Sequence, residues 1–71
     1  MRSIEETLSI RALYPAGSRV QLKKMSLPIA PPVGTTGIVT KVDILGTVHV
    51  KWSNGSRISV VVGEDEIIRI A

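Results

Sequence analysis

The chain has 71 residues, which is enough for one domain and too few for two. It contains no cysteine, which excludes disulfides and thiolate chemistry and argues against a structural zinc site. The formal net charge of +3 permits binding to nucleic acid or to an acidic protein but requires neither.

The first part of the chain is predicted to form a short helix. Ser3 and Glu6 have the spacing of a capping box, and Pro15 sets the far boundary. The apolar residues of this segment do not share one helix face. We therefore predict an N-terminal helical arm over residues 1–14, ordered where it packs on the remaining domain, residues 15–71, or on a partner.

Neither a targeting segment nor a membrane span is expected. Glu5 and Glu6 interrupt the apolar run that a signal peptide would need. Apolar runs such as Val60-Val61-Val62 are far too short to cross a membrane. Because a small domain without cysteine suits a reducing compartment, we expect a cytoplasmic protein with no membrane contact.

Beyond Pro15 the chain reads as short strands in which polar and apolar residues alternate. The pattern predicts strands at 19–23, 37–43, 47–52, 57–60 and 67–70. In the second strand, Val39 and Val42 can both face inward only if a bulge intervenes. Asn54-Gly55 predicts a type I′ hairpin turn. Gly63-Glu64-Asp65-Glu66 predicts a single helical turn.

Five short strands, tight turns and one long proline-containing loop at 25–36 predict an all-β fold, a small five-stranded SH3-like barrel. Its core is predicted to contain the inward-facing residues of these strands. These are Val20, Leu22, Val39, Val42, Val48, Val50, Trp52, Ile58, Val60 and Ile68.

Several short motifs of the chain, taken together, resemble those of one known family. They are Tyr14-Pro15-x-Gly17-x-Arg19-Val20-x-Leu22, Met25, Ala30-Pro31-Pro32-x-Gly34-Thr35-x-Gly37-x-Val39, Val42-Asp43 and Val50-x-Trp52-x-Asn54-Gly55-Ser56. Over residues 8–70 the chain resembles the small bacterial and phage domain-of-unknown-function family four-three-one-four. The resemblance implies a compact β-barrel in proteins of bacteria and their mobile elements, without a known activity. Ser26-Leu27, Ile44 and Ser53 stand where the family tends to have acids.

The sequence argues against catalysis. His49 is the single histidine, lies in mid-strand and is predicted to be exposed, so no catalytic residue is assigned. The carboxylates of residues 64–66 radiate from one turn, so no metal site is expected. The glycines of residues 32–37 lead into a strand rather than a helix, so no phosphate loop is present. No cofactor is predicted.

Two sets of residues could bind a partner. A basic face is predicted at Arg19, Lys23, Lys24, Lys41, Lys51 and Arg57. It could follow a phosphate backbone, or it could be a solvated face. Apolar residues also occupy loops, at Leu27, Ile29, Ile44 and Leu45. They could form a protein contact or fold back over an open barrel end.

These features predict a small binding module that is not an enzyme and that binds a protein partner through the apolar loops. The partner could belong to a host system that a phage or mobile-element factor modulates. The alternative is a nucleic-acid-binding barrel that uses the basic face. Self-association through an exposed strand edge is a third reading, and the oligomeric state stays open.

Overall fold

A computed structural model describes residues 3–71 of the chain. One helix precedes five strands, as follows: α1 (Ile4–Leu13), β1 (Arg19–Lys24), β2 (Thr36–Val42), β3 (Thr47–Trp52), β4 (Val60–Val61) and β5 (Glu66–Arg69). The predicted all-β class, with five strands and a short N-terminal helix, is confirmed. Met1 and Arg2, which the predicted arm includes, lie outside the described residues. No helix within residues 3–71 is long and apolar enough to cross a membrane.

The strands form one antiparallel sheet in the order β4-β3-β2-β1-β5. Over the described part of the chain, β4 and β5 are the two edges and do not pair with each other, so the sheet is not closed into a barrel. β4 is also shorter than predicted. The backbone of Ile58 forms hydrogen bonds with side chains rather than with a neighbouring strand. Its N–H donates to Ser56 Oγ at 3.4 Å, and its carbonyl accepts from Trp52 Nε1 at 2.8 Å.

The predicted bulge in β2 is confirmed. The register between β2 and β3 shifts between Val39 and Lys41, so one extra residue is accommodated there. As a result Val39 and Val42, three positions apart, are both buried. The bulge lies just before the turn that joins β2 to β3.

The core agrees with the prediction except at two positions. In β5, Ile67 pairs with Leu22 and is buried, whereas Ile68 pairs with Gln21 on the outer face and is 42% exposed. Because paired residues point to the same side of a sheet, the prediction that Ile68 is buried was wrong by one position. Ile58 is only partly buried, because its segment leaves the sheet.

Helix α1 packs against the sheet and contributes Ile10 to the core. The predicted capping box is present: the Glu6 N–H donates to Ser3 Oγ at 3.1 Å, and the Ser3 N–H donates to the Glu6 carboxylate. Two polar side chains connect the helix to the end of β2 and to the following turn. Thr7 Oγ1 donates to the Ile44 carbonyl at 3.3 Å, and Arg11 Nη2 donates to the Val42 carbonyl at 3.2 Å.

Two hairpin turns share one geometry. The Gly46 N–H donates to the Asp43 carbonyl and the Gly55 N–H to the Trp52 carbonyl, both at 3.0 Å. Both glycines have positive φ, but Asn54 does not, so the predicted type I′ turn is a three-residue loop that ends in a left-handed glycine. The predicted helical turn at 63–66 is a tight turn flanked by a bridge between Val62 and Asp65.

Candidate functional site

The turn between β2 and β3 is held from inside by one carboxylate. Asp43 Oδ1 accepts from the N–H of Leu45 at 2.9 Å and from the N–H of Thr47 at 3.0 Å. The backbone of the turn is therefore fixed while the two side chains at its tip point outward: Ile44 is 82% exposed and Leu45 is 59% exposed. They do not fold back over the end of the sheet.

An apolar groove runs between helix α1 and this turn. Ile4 and Leu8 lie one helical turn apart and face Ile44 across the groove, with Thr7 and Arg11 completing its lining. We call these five residues the helix–turn groove, which encloses about 400 Å³. Ile4 is 79% exposed and Leu8 is 55% exposed, so the groove is open to solvent.

The other two predicted loop residues, Leu27 and Ile29, lie elsewhere. Both are exposed and belong to the loop that joins β1 to β2, whereas Ile44 and Leu45 follow β2. The two loops are therefore attached at opposite ends of β2, about 20 Å apart for a strand of this length. Leu27 lines a separate depression, so the predicted apolar residues do not share one groove.

The predicted basic residues are all exposed but are spread over several places. Arg19 and Lys51 flank Ile38 in one row across β1, β2 and β3. Lys24 faces Glu66 across the β1–β5 pair, and Lys23 lines a groove beside β5. Lys41 pairs with His49, and Arg57 lies in the segment before β4. The structure therefore brings two of the six cations, Arg19 and Lys51, into one groove.

His49 takes part in a hydrogen-bonded relay that sequence reasoning missed. Its Nε2 lies 2.9 Å from Asp43 Oδ2, and its Nδ1 lies 3.2 Å from Ser59 Oγ. The hydrogen bond from His49, with those from the N–H groups of Thr47 and Leu45, holds the pKa of Asp43 below its usual value. We call these three side chains the Asp43–His49–Ser59 relay. His49 is 34% exposed, so the relay is reached by solvent.

Ser59 opens onto a depression of about 430 Å³, the one that Leu27 lines. Its lining consists of Ser26, Leu27, Ser59, Val61, Glu64 and Asp65. Asp65 is held in place because its Oδ2 accepts from the Val61 N–H at 2.9 Å. We call this feature the Ser59 depression.

Within residues 3–71, no group of three or more histidine and carboxylate side chains converges to hold a metal ion. The carboxylates of residues 64–66 diverge: Asp65 turns back to the Val61 N–H, while Glu66 begins β5.

The helix face of the groove was missed because it depends on a contact between residues distant in sequence, and the relay was missed because it depends on the path of the segment before β4. The i, i+4 spacing of Ile4 and Leu8 was visible, but not its position beside Ile44. The hairpin pattern already implied that Asp43 and His49 are near neighbours. No feature of the sequence indicated that Ser59 lies beside His49.

The fold and these surfaces define a small open antiparallel β-sheet domain with one N-terminal helix packed beside a sheet turn. The family model described as "Domain of unknown function (DUF4314)" matches residues 3–70. The chain belongs to this family, as its motifs had indicated. A comparison with curated proteins gave no match, and neither did a comparison with solved structures.

Proposed function

We propose that the chain is a binding module for a protein partner and that the partner docks in the helix–turn groove. The observation that carries the proposal is the exposure of Ile4 and Ile44, two large apolar side chains that face each other across one groove. Neighbouring exposed apolar side chains of this kind are typical of protein contact surfaces.

The groove is preorganised on both sides. The turn is held by Asp43, and its Ile44 carbonyl is bonded to Thr7 of the helix. Arg11 bonds the end of β2, which fixes the far end of the helix. Because the backbone on both sides of the groove is already held in place, binding orders less of the chain, which favours affinity.

The charge of the groove indicates the chemistry of the partner. Arg11 is the charged side chain in the lining, and the groove otherwise consists of Ile4, Leu8, Ile44 and Thr7. A partner segment with an apolar anchor beside a carboxylate would match this arrangement, and the net charge of +3 would favour its approach. We therefore propose an acidic, apolar protein segment as the occupant.

The test selects peptides from a random displayed library on the wild-type protein and measures their affinity for variants. Ile44→Asp should weaken binding about 30-fold or more, because interface energy is concentrated in buried apolar anchors. Val33→Asp is the matched control, since Val33 is 69% exposed in the other loop. The selected peptides should contain an acidic residue, and Arg11→Gln should lower their affinity for the protein. Leu27→Asp and Ile29→Asp report whether the β1–β2 loop joins the interface.

Thermal melting separates binding from folding. Ile44→Asp should melt like the wild type, because its side chain is largely in solvent. If no peptide is selected, or if Ile44→Asp and Val33→Asp bind selected peptides as well as the wild type, the groove is not the docking site.

Nucleic acid is the second candidate, and the Arg19–Ile38–Lys51 row favours it. Three strands place these residues in register, and the groove beside them also contains Thr36 and Ser53. Two cations two strands apart could contact phosphates. Binding to duplex DNA should then weaken with salt. Replacing both cations by glutamine should flatten the log–log slope by about 0.9 per lost contact, and an unchanged slope excludes this row.

The pairing of the first strand with the last, in a small five-stranded sheet, supports the proposal that the fold is related to SH3-like barrels. The family resemblance supports an origin in bacteria or phage, where such a module could modulate a host system. The absence of cysteine from the sequence supports a cytoplasmic setting.

A further inference from the structure

The Asp43–His49–Ser59 relay places a hydroxyl, an imidazole and a carboxylate in one hydrogen-bonded line. The two contacts are 3.2 Å for Ser59 Oγ to His49 Nδ1 and 2.9 Å for His49 Nε2 to Asp43 Oδ2. A nucleophile, a base and a group that orients the base are the parts that nucleophilic chemistry needs. None of the three lies in the helix–turn groove.

The donors and acceptors of the relay determine which nitrogen of His49 carries its proton. Asp43 is a carboxylate with no proton to donate, so Nε2 must donate to its Oδ2. In the neutral ring Nδ1 is then without a proton and can accept one from the hydroxyl of Ser59. The relay therefore holds His49 in the tautomer that can act as a base toward Ser59.

The carboxylate is itself fixed. Its other oxygen, Oδ1, accepts from the N–H groups of Leu45 and Thr47, so Asp43 cannot rotate away without breaking the β2–β3 turn. An imidazolium formed at His49 would lie next to this fixed negative charge, which stabilises it.

We propose that Ser59 is a nucleophilic modification site that takes up one acyl group from a neutral or cationic activated ester. The reaction goes beyond the proposed binding function and places one acyl group on Ser59. It requires no metal or cofactor.

The chemistry balances within the relay and the ester. Ser59 Oγ attacks the ester carbonyl and forms a new C–O bond, while its proton moves to His49 Nδ1. The bond from the carbonyl carbon to the leaving oxygen breaks, and His49 returns the proton to that oxygen. The products are acyl-Ser59 and a free alcohol or phenol, and nothing is oxidised or reduced.

The surroundings of Ser59 define the class of ester. Leu27 and Val61 give the Ser59 depression apolar walls on which a short acyl chain can pack. The carboxylates of Glu64 and Asp65 line the same depression, so they disfavour an anionic ester and favour a neutral or cationic one.

The experiment incubates the full chain with p-nitrophenyl butyrate and follows butyrylation by intact mass, with peptide mapping to locate the adduct. We expect one butyryl group on Ser59. Ser59→Ala should remove it, whereas Ser53→Ala, which changes an exposed serine outside the relay, should not. His49→Gln should lower the rate about 100-fold or more, in line with the loss of a general base.

Asp43→Asn separates a reactive relay from a merely structural one. The amide keeps the size of the side chain and can still accept from the turn N–H groups, but its NH₂ would face Nε2 and force the proton onto Nδ1. This variant should fold, as thermal melting would show, and should acylate at Ser59 about 100-fold more slowly or worse. If Ser59 reacts no faster than Ser53, or if Asp43→Asn reacts as fast as the wild type, the proposal is wrong. A p-nitrophenyl ester with a free carboxylate should react more slowly than the butyrate, and equal rates would exclude the assigned ester class.

Discussion

Replacing Trp52 by alanine is expected to remove a large part of the stability of this domain. Trp52 is 2% exposed, and its Nε1 donates to the Ile58 carbonyl at 2.8 Å. Deleting a buried tryptophan side chain costs about 3–5 kcal/mol. The loss of the partner of the Ile58 carbonyl adds about 1–3 kcal/mol where water cannot replace it.

These costs are large compared with the total free energy of unfolding of so small a domain. At the usual stability per residue, a chain of this length has a free energy of unfolding of about 4–11 kcal/mol. Trp52→Ala should therefore be unfolded at the lower end of that range and should keep about 3–7 kcal/mol at the upper end. Trp52→Phe keeps much of the ring and loses the hydrogen bond, so we expect a cost of about 1–3 kcal/mol and a melting temperature lower by roughly 4 °C or more.

The assay must not rely on tryptophan fluorescence, because Trp52 is the single tryptophan and both variants lack it. Far-ultraviolet circular dichroism in urea and on heating reports all three proteins on one scale. If Trp52→Ala unfolds cooperatively at the wild-type midpoint, Trp52 does not contribute to the core as described. If Trp52→Phe is as unstable as Trp52→Ala, the aromatic ring contributes nothing to stability.

Two further predictions concern the same sheet. A Cβ on Gly37 would lie 2.6 Å from Val50 Cγ1 and 2.9 Å from Trp52 Cε3. Gly37→Ala should therefore lower the free energy of unfolding, measured by urea titration, by about 1–3 kcal/mol. An unchanged urea midpoint would contradict this packing. The hydrogen bond from His49 lowers the pKa of Asp43 from its usual 3.8, so the ionised carboxylate contributes stability that is fully present above pH 3.8 and is lost as the pH falls through the lowered pKa. Urea midpoints measured across acidic pH should therefore fall more steeply for the wild type than for Asp43→Asn, and parallel curves would remove the assigned role of this carboxylate.

The parts of the fold that local pattern controls were predictable. The strict alternation of residues 47–52 gave β3 its observed bounds. The spacing of Val39 and Val42 gave the bulge, because two inward side chains three positions apart require one. In β5, by contrast, Ile67 and Ile68 are both apolar, so the sequence pattern does not distinguish between the two possible registers. Pairing with β1 decides the register.

The site was predictable only in part, because tertiary contacts complete it. The sequence placed Ile44 in a tight turn but left open whether its side chain points outward or folds back, and in the structure it is exposed. The helix that forms the other wall docks through Thr7, whose acceptor lies 37 residues away in sequence. Ser59 reaches His49 because its segment leaves the sheet to bond side chains, an effect that alternation of polar and apolar residues does not reveal.

The pairing of β1 with β5 also has a consequence for the order of folding. The β2–β3 hairpin joins residues close in sequence and can form early. Val20 and Arg69 become partners only after the intervening chain has closed into a loop, at an entropic cost that local contacts do not carry. We therefore expect the β1–β5 ladder to form after the rate-limiting step. Substitutions at Ile67 should then mainly accelerate unfolding, whereas substitutions at Val50 should mainly slow refolding.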